Sequence, residues 1–468
     1  MLHTHMPYVE GFGTWPFGEE WLWEAIVGCY LPLLDLLDEG APLTLSLTPV
    51  LCDQLEAPGL VERFTAFIED VRGPTHELDA AGLRAGGFES LACEVERAGG
   101  DYTAALDALQ RRDGDLLGAF ARHAQWASSA THAILPLLAT DTGVRMQVQT
   151  GVRSHRARFG EHWRGGFWLP ECAYSPWLER ALEDAGVAAV CVELTGRFGL
   201  GAVANLRPIA TEAGVRLVPI DRSTISLVWS DDGYPAAGAY RDYHHHTVHH
   251  HKPWNNAGGE YDHAAALVLA REHAADFVTR TRARLVDGAV GQDQPAPLVV
   301  CAVDTELFGH WWYEGIEWLR AVVAECSKQG VRLIGLDDAL EDVQAAPADL
   351  EAEARQWQAC TWGTDGDLST WSGPAVAEMT FAARAAELGV LAASEQAGAA
   401  AIRELLALQA SDWQFMVSRD IAAPYARERF ELHRAGVLRA LEQGQQADTD
   451  ALRNLAVYAE RASLLAPL

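Results

Sequence analysis

The sequence predicts an α/β protein built on parallel strands, with a helical insertion and a carboxy-terminal all-helical domain, and three observations carry that prediction. From residue 1 to about 345, short apolar runs alternate with amphipathic helical segments, the pattern of strands joined by helical crossovers. Residues from about 57 to 130 break this rhythm and read as helices throughout. From about 375 the pattern is helical to the end and rich in Ala, Leu and Glu. The expected division is one unit over 1–350, carrying the insertion at about 57–130, and a helical unit over 351–468.

In chain order, "LTLSLTP" (43–49) is the first clear strand. The insertion follows, with apolar residues at helical spacing in "LVERFTAFIEDV" and "AALDALQRRDGDLLGAFARHAQWA". "AAVCVE" (188–193) and "VRLVPI" (215–220) are compact, β-branched runs and read as buried strands. The turn-rich "VDGAVGQDQPAP" (286–297) reads as a loop before the strand "LVVCAVD" (298–304), and "VRLIGL" (331–336) reads as a further strand.

At 468 residues the chain can bury a large core, and 22% charged with 49% hydrophobic residues places it with folded proteins rather than disordered ones. A net charge of −29 argues against nucleic acid or an anionic membrane as partner. The eight cysteines stand singly, at 29, 52, 93, 172, 191, 301, 326 and 360, without a Cys-x-x-Cys pair, which suits reduced thiols in a cytoplasm. Neither a secretion signal nor an apolar run of about 20 residues is present in the sequence. Sixteen tryptophans are many, and several sit among polar residues, as in "LVWSDDGY" and "TWGTDGDLSTW". Aromatic faces beside polar groups suit sugar rings.

Two junctions carry chemistry. In "GFWLPECAY" (166–174), Glu171 directly follows an apolar, aromatic run, and in "VVCAVDTELFGHWW" (299–312) Asp304 and Glu306 end a β-branched one. A buried ionised carboxylate costs several kcal/mol unless paired or hydrogen-bonded, so chance seldom leaves one there. In β/α barrels the carboxyl ends of strands are where chemistry collects, and a carboxyl there can have its pKa tuned for acid, base or nucleophile work.

These stretches resemble glycoside hydrolase family 57, and more narrowly its α-1,4-glucan branching subgroup, over nearly the whole chain. "LHTHMPYVEGFGTWPFGEEWLWEAI", "LTPVLCDQL", "GFWLPECAY", "AVDTELFGHWWYEG", "TWGTDGDLSTW" and "SDWQFM" are similar to its motifs and stand in the same order. The resemblance implies a (β/α)7 barrel whose catalytic unit spans 1–350, with the helical unit contributing to the cleft. It implies an α-1,4-glucan substrate, a retaining mechanism and no cofactor. Glu171 takes the place of the family's nucleophile and Asp304 that of its general acid/base, the family pattern choosing Asp304 over Glu306. His3, His5 and His132 match positions near the sugar at the point of cleavage. Trp229, Trp362 and Trp371 match aromatic positions along the cleft, and Asp412 lies in the helical motif "SDWQFM". Branching is the implied activity; an α-glucan hydrolase, or a weakly active glucan-binding protein, is the alternative. Oligomeric state stays open.

His-x-His at 3 and 5 offers two nitrogens on one face of a strand, yet no third ligand stands at a suitable spacing, and no metal is expected. The tract "HHHTVHHH" (244–251) is expected to be solvated or loop-packing rather than a metal site. Two departures from the family pattern matter. Only Met1 and Leu2 precede His3, so a frayed or shortened first strand is expected. Residues 195–214, where branching relatives carry a longer loop with a tyrosine, contain none, which predicts a poorer lid and leakage to water.

Overall fold

The computed structural model describes residues 1–13, 18–289, 296–345, 359–393 and 396–460. Parts of the first motif (14–17), of the 286–297 loop (290–295) and of the helical unit (351–358, 394–395 and 461–468) lie outside the described residues.

Eight strands form one sheet: β1 (Leu2–Thr4), β2 (Leu45–Leu47), β3 (Ala124–Ser128), β4 (Gly166–Trp168), β5 (Ala189–Val192), β6 (Ile209–Ala210), β7 (Arg216–Pro219) and β8 (Val303–Asp304). Their spatial order is β6-β7-β5-β4-β3-β2-β1-β8. Among the described residues seven run parallel, and the short β6 pairs antiparallel, on β7. Just beyond β7, the Asp221 N–H donates to the Val300 carbonyl just before β8 at 2.9 Å, which brings the two outer parallel strands together. The row thus curls into a (β/α)7 barrel. Strands β1, β2, β4 and β5 are buried along their whole length, and two-sided burial is why β5 reads as a continuous apolar run, while β1 and β2 carry buried polar residues, His3 and Ser46, among them. β1 is short, at three residues, but not frayed: all three are buried, and it pairs with β2 on one side and β8 on the other.

Helices Leu60–Ala66, Gly73–Ala85, Glu89–Gln110 and Leu116–Phe120 lie between β2 and β3. The stretch read as helical to residue 130 therefore ends sooner, because Ala124–Ser128 is β3. Its Trp126 and Ala127 are both fully buried although they point to opposite faces, so two-sided burial erased the alternation that would have marked a strand. A second correction concerns 331–336, which forms no strand. This half-buried run crosses the amino-terminal end of β2, where the Leu336 N–H donates to Thr44 Oγ1 at 2.6 Å, and leads into the helix Leu336–Asp342. An apolar run announces burial, but not whether its backbone finds a ladder partner.

Helices Ala377–Ala392, Ala399–Leu408, Ser411–Ser418 and Ala423–Gln443 pack around Leu405, Leu406, Trp413, Phe430 and Val437. Tyr8, Val50, Ala130 and Met146 of the barrel side join the same core, so the carboxy-terminal helices sit directly on the barrel. No helix among the described residues is long and apolar enough to cross a membrane.

Candidate active site

Five neighbouring strands deliver the polar residues of one site from their carboxyl ends: Asp304 from β8, His3 and His5 from β1, Ser46 and Thr48 from β2, His132 after β3 and Glu171 after β4. The carboxy-terminal segment closes it with Trp362, Ser411 and Asp412.

Glu171 sits in a tight turn, Pro170–Cys172, with its own backbone left-handed at φ 58° and that of Cys172 at φ 50°. His132 is likewise left-handed at φ 61°. This conformation costs a side chain with a Cβ roughly 1–2 kcal/mol per residue, so neighbouring contacts must hold it. Both turns are held alike. The carbonyl of Glu171 accepts from Trp362 N–H at 3.0 Å, and that of His132 accepts from Ser411 N–H at 3.2 Å. Each turn is followed by an antiparallel bridge to the same carboxy-terminal part of the chain, Tyr174 with Cys360 and Ala133 with Ala410.

Trp362 also donates its indole N–H to Glu171 Oε2 at 2.6 Å. Burial pushes the Glu171 carboxyl up to about 7, against this bond, which pulls it down; the charge of Asp412 adds to the rise and His5 opposes it. The Asp304 carboxyl makes no hydrogen bond with any described residue, its backbone pairing with β1. Burial, then the charges of Glu171 and Glu306, hold its carboxyl well above the usual carboxylate range. Glu306 is turned away from that role, because its Oε1 accepts from Tyr30 O–H at 2.7 Å and from the His5 N–H at 3.2 Å. Burial nevertheless raises it to about 7.

The histidines form a stacked ladder. His3 lies on Trp168 at 4.6 Å and 16°, and His5 on His132 at 3.9 Å and 15°. Hydrogen bonds run through the buried pair: His3 Nδ1 with Ser46 Oγ at 2.8 Å, His3 Nε2 with His132 Nε2 at 2.9 Å, and His132 Nδ1 with Ser411 Oγ at 2.8 Å. Burial drives His3 and His132 well below the ordinary imidazole value, so both are neutral. Burial also opposes charge on His5, but Asp412, at 2.9 Å from its Nε2 and bonded to it, raises it instead. This pairing favours the imidazolium form of His5.

His5, His132 and Asp412 are the one group of metal-ligand type found among the described residues. Two imidazoles stacked face to face at 15° do not direct lone pairs at one ion, and the nitrogens already have protein partners. The 244–251 tract packs as a loop: His245 stacks on Trp254, and His249 bonds Asp79 of the insertion at 2.6 Å.

Trp229 is exposed after β7 and meets an equally exposed Trp311, which follows β8, edge to face at 5.7 Å. Trp371 corrects the sequence expectation. Its indole is 1% exposed and packs on Ile134 and Ala173, so it presents no face to the cleft. Its polar neighbours in "TWGTDGDLSTW" lie in a loop over it, which is why composition misled. Tyr30, Ser46, Ser411 and Trp311 are site residues the sequence reading missed. Trp311 alone carried a signal, as a tryptophan in the motif beyond Asp304.

The sequence matches Glycosyl hydrolase family 57 over residues 126–351 and the carboxy-terminal region of 1,4-alpha-glucan branching enzymes over 374–464. A 1,4-alpha-glucan branching enzyme of Thermococcus kodakarensis is 31% identical, the match covering 92% of this chain and 71% of that one. A probable 1,4-alpha-glucan branching enzyme of Mycobacterium tuberculosis is 33% identical, over 92% and 89%. The crystal structure of a family 57-type branching enzyme from Pyrococcus horikoshii superposes with TM-score 0.88 at 27% identity, over 100% and 96% of the two chains. With this likeness covering 92% of the chain in sequence and all of it in fold, the chain belongs to glycosyl hydrolase family 57, in the subgroup of its branching enzymes.

Proposed function

We propose that the protein is a retaining 1,4-α-glucan branching enzyme. Asp304 protonates the glycosidic oxygen as the C–O bond breaks, and the Glu171 carboxylate bonds to the anomeric carbon. A glucan 6-hydroxyl then attacks that carbon, gives its proton to Asp304 and displaces Glu171. One observation carries this assignment. Glu171 and Asp304 end β4 and β8 at one buried site, and an indole N–H reaches Glu171 Oε2 at 2.6 Å, favouring its ionised form, while no hydrogen bond from a described residue stabilises a carboxylate at Asp304. Double displacement needs one group ionised and one protonated, and burial with the nearby charge of Glu171 raises Asp304 in that direction. The His5–Asp412 pair and the neutral His3–His132 pair offer donors and acceptors to sugar hydroxyls, and the names of the relatives support an α-glucan as substrate.

Hydrolysis is the second reading. Residues 195–214 have no tyrosine and are tied down as a short helix, a 3₁₀ turn and β6 on β7, which leaves them a poor lid against water. Product analysis with amylose decides: new α-1,6 linkages in excess of new reducing ends support branching, and reducing ends alone replace it with hydrolysis. The catalytic unit is assigned to 1–350 and cleft closure to 351–468. Eight free cysteines support a reducing, cytoplasmic setting.

A further inference from the structure

Glu306 is a third buried carboxyl at the end of β8, and it takes no part in the two steps of double displacement. β1 and β8 run side by side with His3 opposite Asp304. Two residues further on, the His5 N–H donates to Glu306 Oε1 at 3.2 Å, so His5 and Glu306 form the next layer of the same site. The turn that carries Glu306 is fixed from two sides. On the β1 side, Thr4 Oγ1 and Thr305 Oγ1 are bonded at 2.7 Å. On the other, a π-helical turn, Ile26–Tyr30, ends with the Cys29 S–H donating to the Thr305 carbonyl at 3.1 Å and the Tyr30 O–H to Glu306 Oε1 at 2.7 Å. That turn lies backbone to backbone on the loop beyond Glu306: a Cβ on Gly28 would come within 2.7 Å of the Gly309 carbonyl oxygen. Only glycine permits this approach, and it presses Tyr30 onto Glu306.

Among the described residues, the titratable groups that face Glu306 are Tyr30, Cys29, His5 and Asp304. Burial holds the Cys29 thiol and the Tyr30 phenol well above their ordinary ranges, so neither ionises and Tyr30 stays a donor. Two donors on one oxygen favour the carboxylate of Glu306 against burial, which raises its ionisation to about 7. Asp304 faces Glu171 and Glu306 and has no donor among the described residues, so a proton shared by the three carboxyls rests on it. The charge of Glu171 disappears when its oxygen bonds the anomeric carbon. Glu306 is then the negative charge that remains beside Asp304.

We infer that Glu306 is a positioning residue of the reaction, a fixed negative charge that keeps the proton on Asp304 before cleavage and keeps the Asp304 carboxylate basic afterwards, while Glu171 is esterified. The inference rests on the retaining reading above. In the second step the acceptor 6-hydroxyl passes its proton to the Asp304 carboxylate as its oxygen bonds the anomeric carbon, and the electron pair of the breaking C–O bond returns to Glu171. A sugar hydroxyl is a weak acid, so this step gains most from a base whose affinity for the proton is held up.

Glu306→Gln tests it, because the amide oxygen still accepts from Tyr30 and His5 while the charge is gone. With amylose, the alkaline limb of kcat/KM is expected to move roughly one pH unit downward, since Asp304 then loses its proton sooner. α-Maltotriosyl fluoride isolates the second step, because fluoride leaves without being protonated. The variant is expected to release a stoichiometric burst of fluoride and then to turn over roughly three- to tenfold more slowly than wild type. Azide, which attacks without a base, is expected to restore that rate. Tyr30→Phe removes one donor but keeps the carboxyl, so it is expected to show the same defect at neutral pH and to lose it at alkaline pH as Glu306 ionises; it decides if Glu306→Gln lowers the melting temperature. An unmoved alkaline limb with no burst and no rescue by azide overturns the inference and leaves Glu306 a structural residue. A wild-type product of inverted anomeric configuration overturns the retaining reading itself.

Discussion

Replacing Trp362 by Phe removes the N–H that Glu171 accepts at 2.6 Å and keeps an aromatic ring in place. A hydrogen bond to a charged acceptor contributes roughly 1.5–3 kcal/mol, and roughly 1.4 kcal/mol is a tenfold change in an ionisation equilibrium. The bond restrains a carboxyl that burial has already pushed up to about 7. Its loss should therefore move the ionisation of Glu171 upward by roughly one to two pH units. Attack requires the carboxylate, so activity fails as pH falls through this ionisation, and the acid limb of the profile moves to higher pH. At pH 7 roughly half of the wild-type Glu171 is ionised, against roughly a tenth to a hundredth in the variant, so kcat/KM falls roughly five- to fiftyfold and recovers toward alkaline pH. The assay is kcat/KM against amylose across the neutral range, which reports the free enzyme. A raised KM with an unmoved acid limb would refute this reasoning and return Trp362 to the role of sugar platform.

Glu171→Gln and Asp304→Asn should each lower turnover by several orders of magnitude without loss of fold, and near-normal activity in either sinks the assignment. Glu171→Gln should also stabilise the protein. A carboxyl whose ionisation is raised from 4.5 to about 7 by folding costs stability progressively as pH rises through that window. The cost is complete above it and at most roughly 3 kcal/mol, so the gain in Tm should be larger at mildly alkaline pH than near pH 5; a gain independent of pH counts against the shift. Exhaustive chelation should leave activity intact, and loss restored by zinc would promote His5, His132 and Asp412 to ligands. Trp371→Ala should destabilise the fold by roughly 3–5 kcal/mol, read by denaturant midpoint, because it empties a packed site. An altered KM with unchanged stability would place the indole in the cleft instead.

Glu171 and Asp304 were legible because ionisable residues stood at the ends of apolar runs, where burial makes an idle charge expensive, whereas His3 and His5 came from the family resemblance alone. The runs themselves located β5, β7 and β8, since parallel strands covered on both faces lose their alternation and become blocks, while β2 showed through the alternation of Leu with Thr and Ser in "LTLSL". The same loss hid β3, whose runs beside it are helical, and made 331–336 look like a strand although its backbone bonds a threonine side chain. Trp371 and Trp362 share one polar motif, yet one is core and the other bonds a carboxylate. Composition reports what surrounds a residue in the chain, not which way a turn aims it. The left-handed turns at His132 and Glu171 had no sequence signal either, because neither residue is Gly, Asn or Asp.

Those turns explain why chemistry at the end of a barrel strand depends on carboxy-terminal segments 191 and 279 residues away. Left-handed backbone at His132, Glu171 and Cys172 costs several kcal/mol in sum, and a free loop would relax out of it. The relaxation is blocked where the carbonyls of Glu171 and His132 accept from Trp362 and Ser411, and the side chains of those donors then bond Glu171 and His132 again. Backbone and side chain of each donor therefore act on the same residue. The strained turn aims the functional group into the cleft, and at Glu171 the side-chain bond opposes the rise that burial imposes on the carboxyl. Asp412, one residue beyond Ser411, favours the charged form of His5 against burial. Burial alone would leave Glu171 protonated and His5 neutral; the indole N–H and the Asp412 carboxylate oppose that drift at the two positions where charge is needed. The barrel thus supplies positions and desolvation, and the carboxy-terminal segment decides which of its desolvated groups remain ionised.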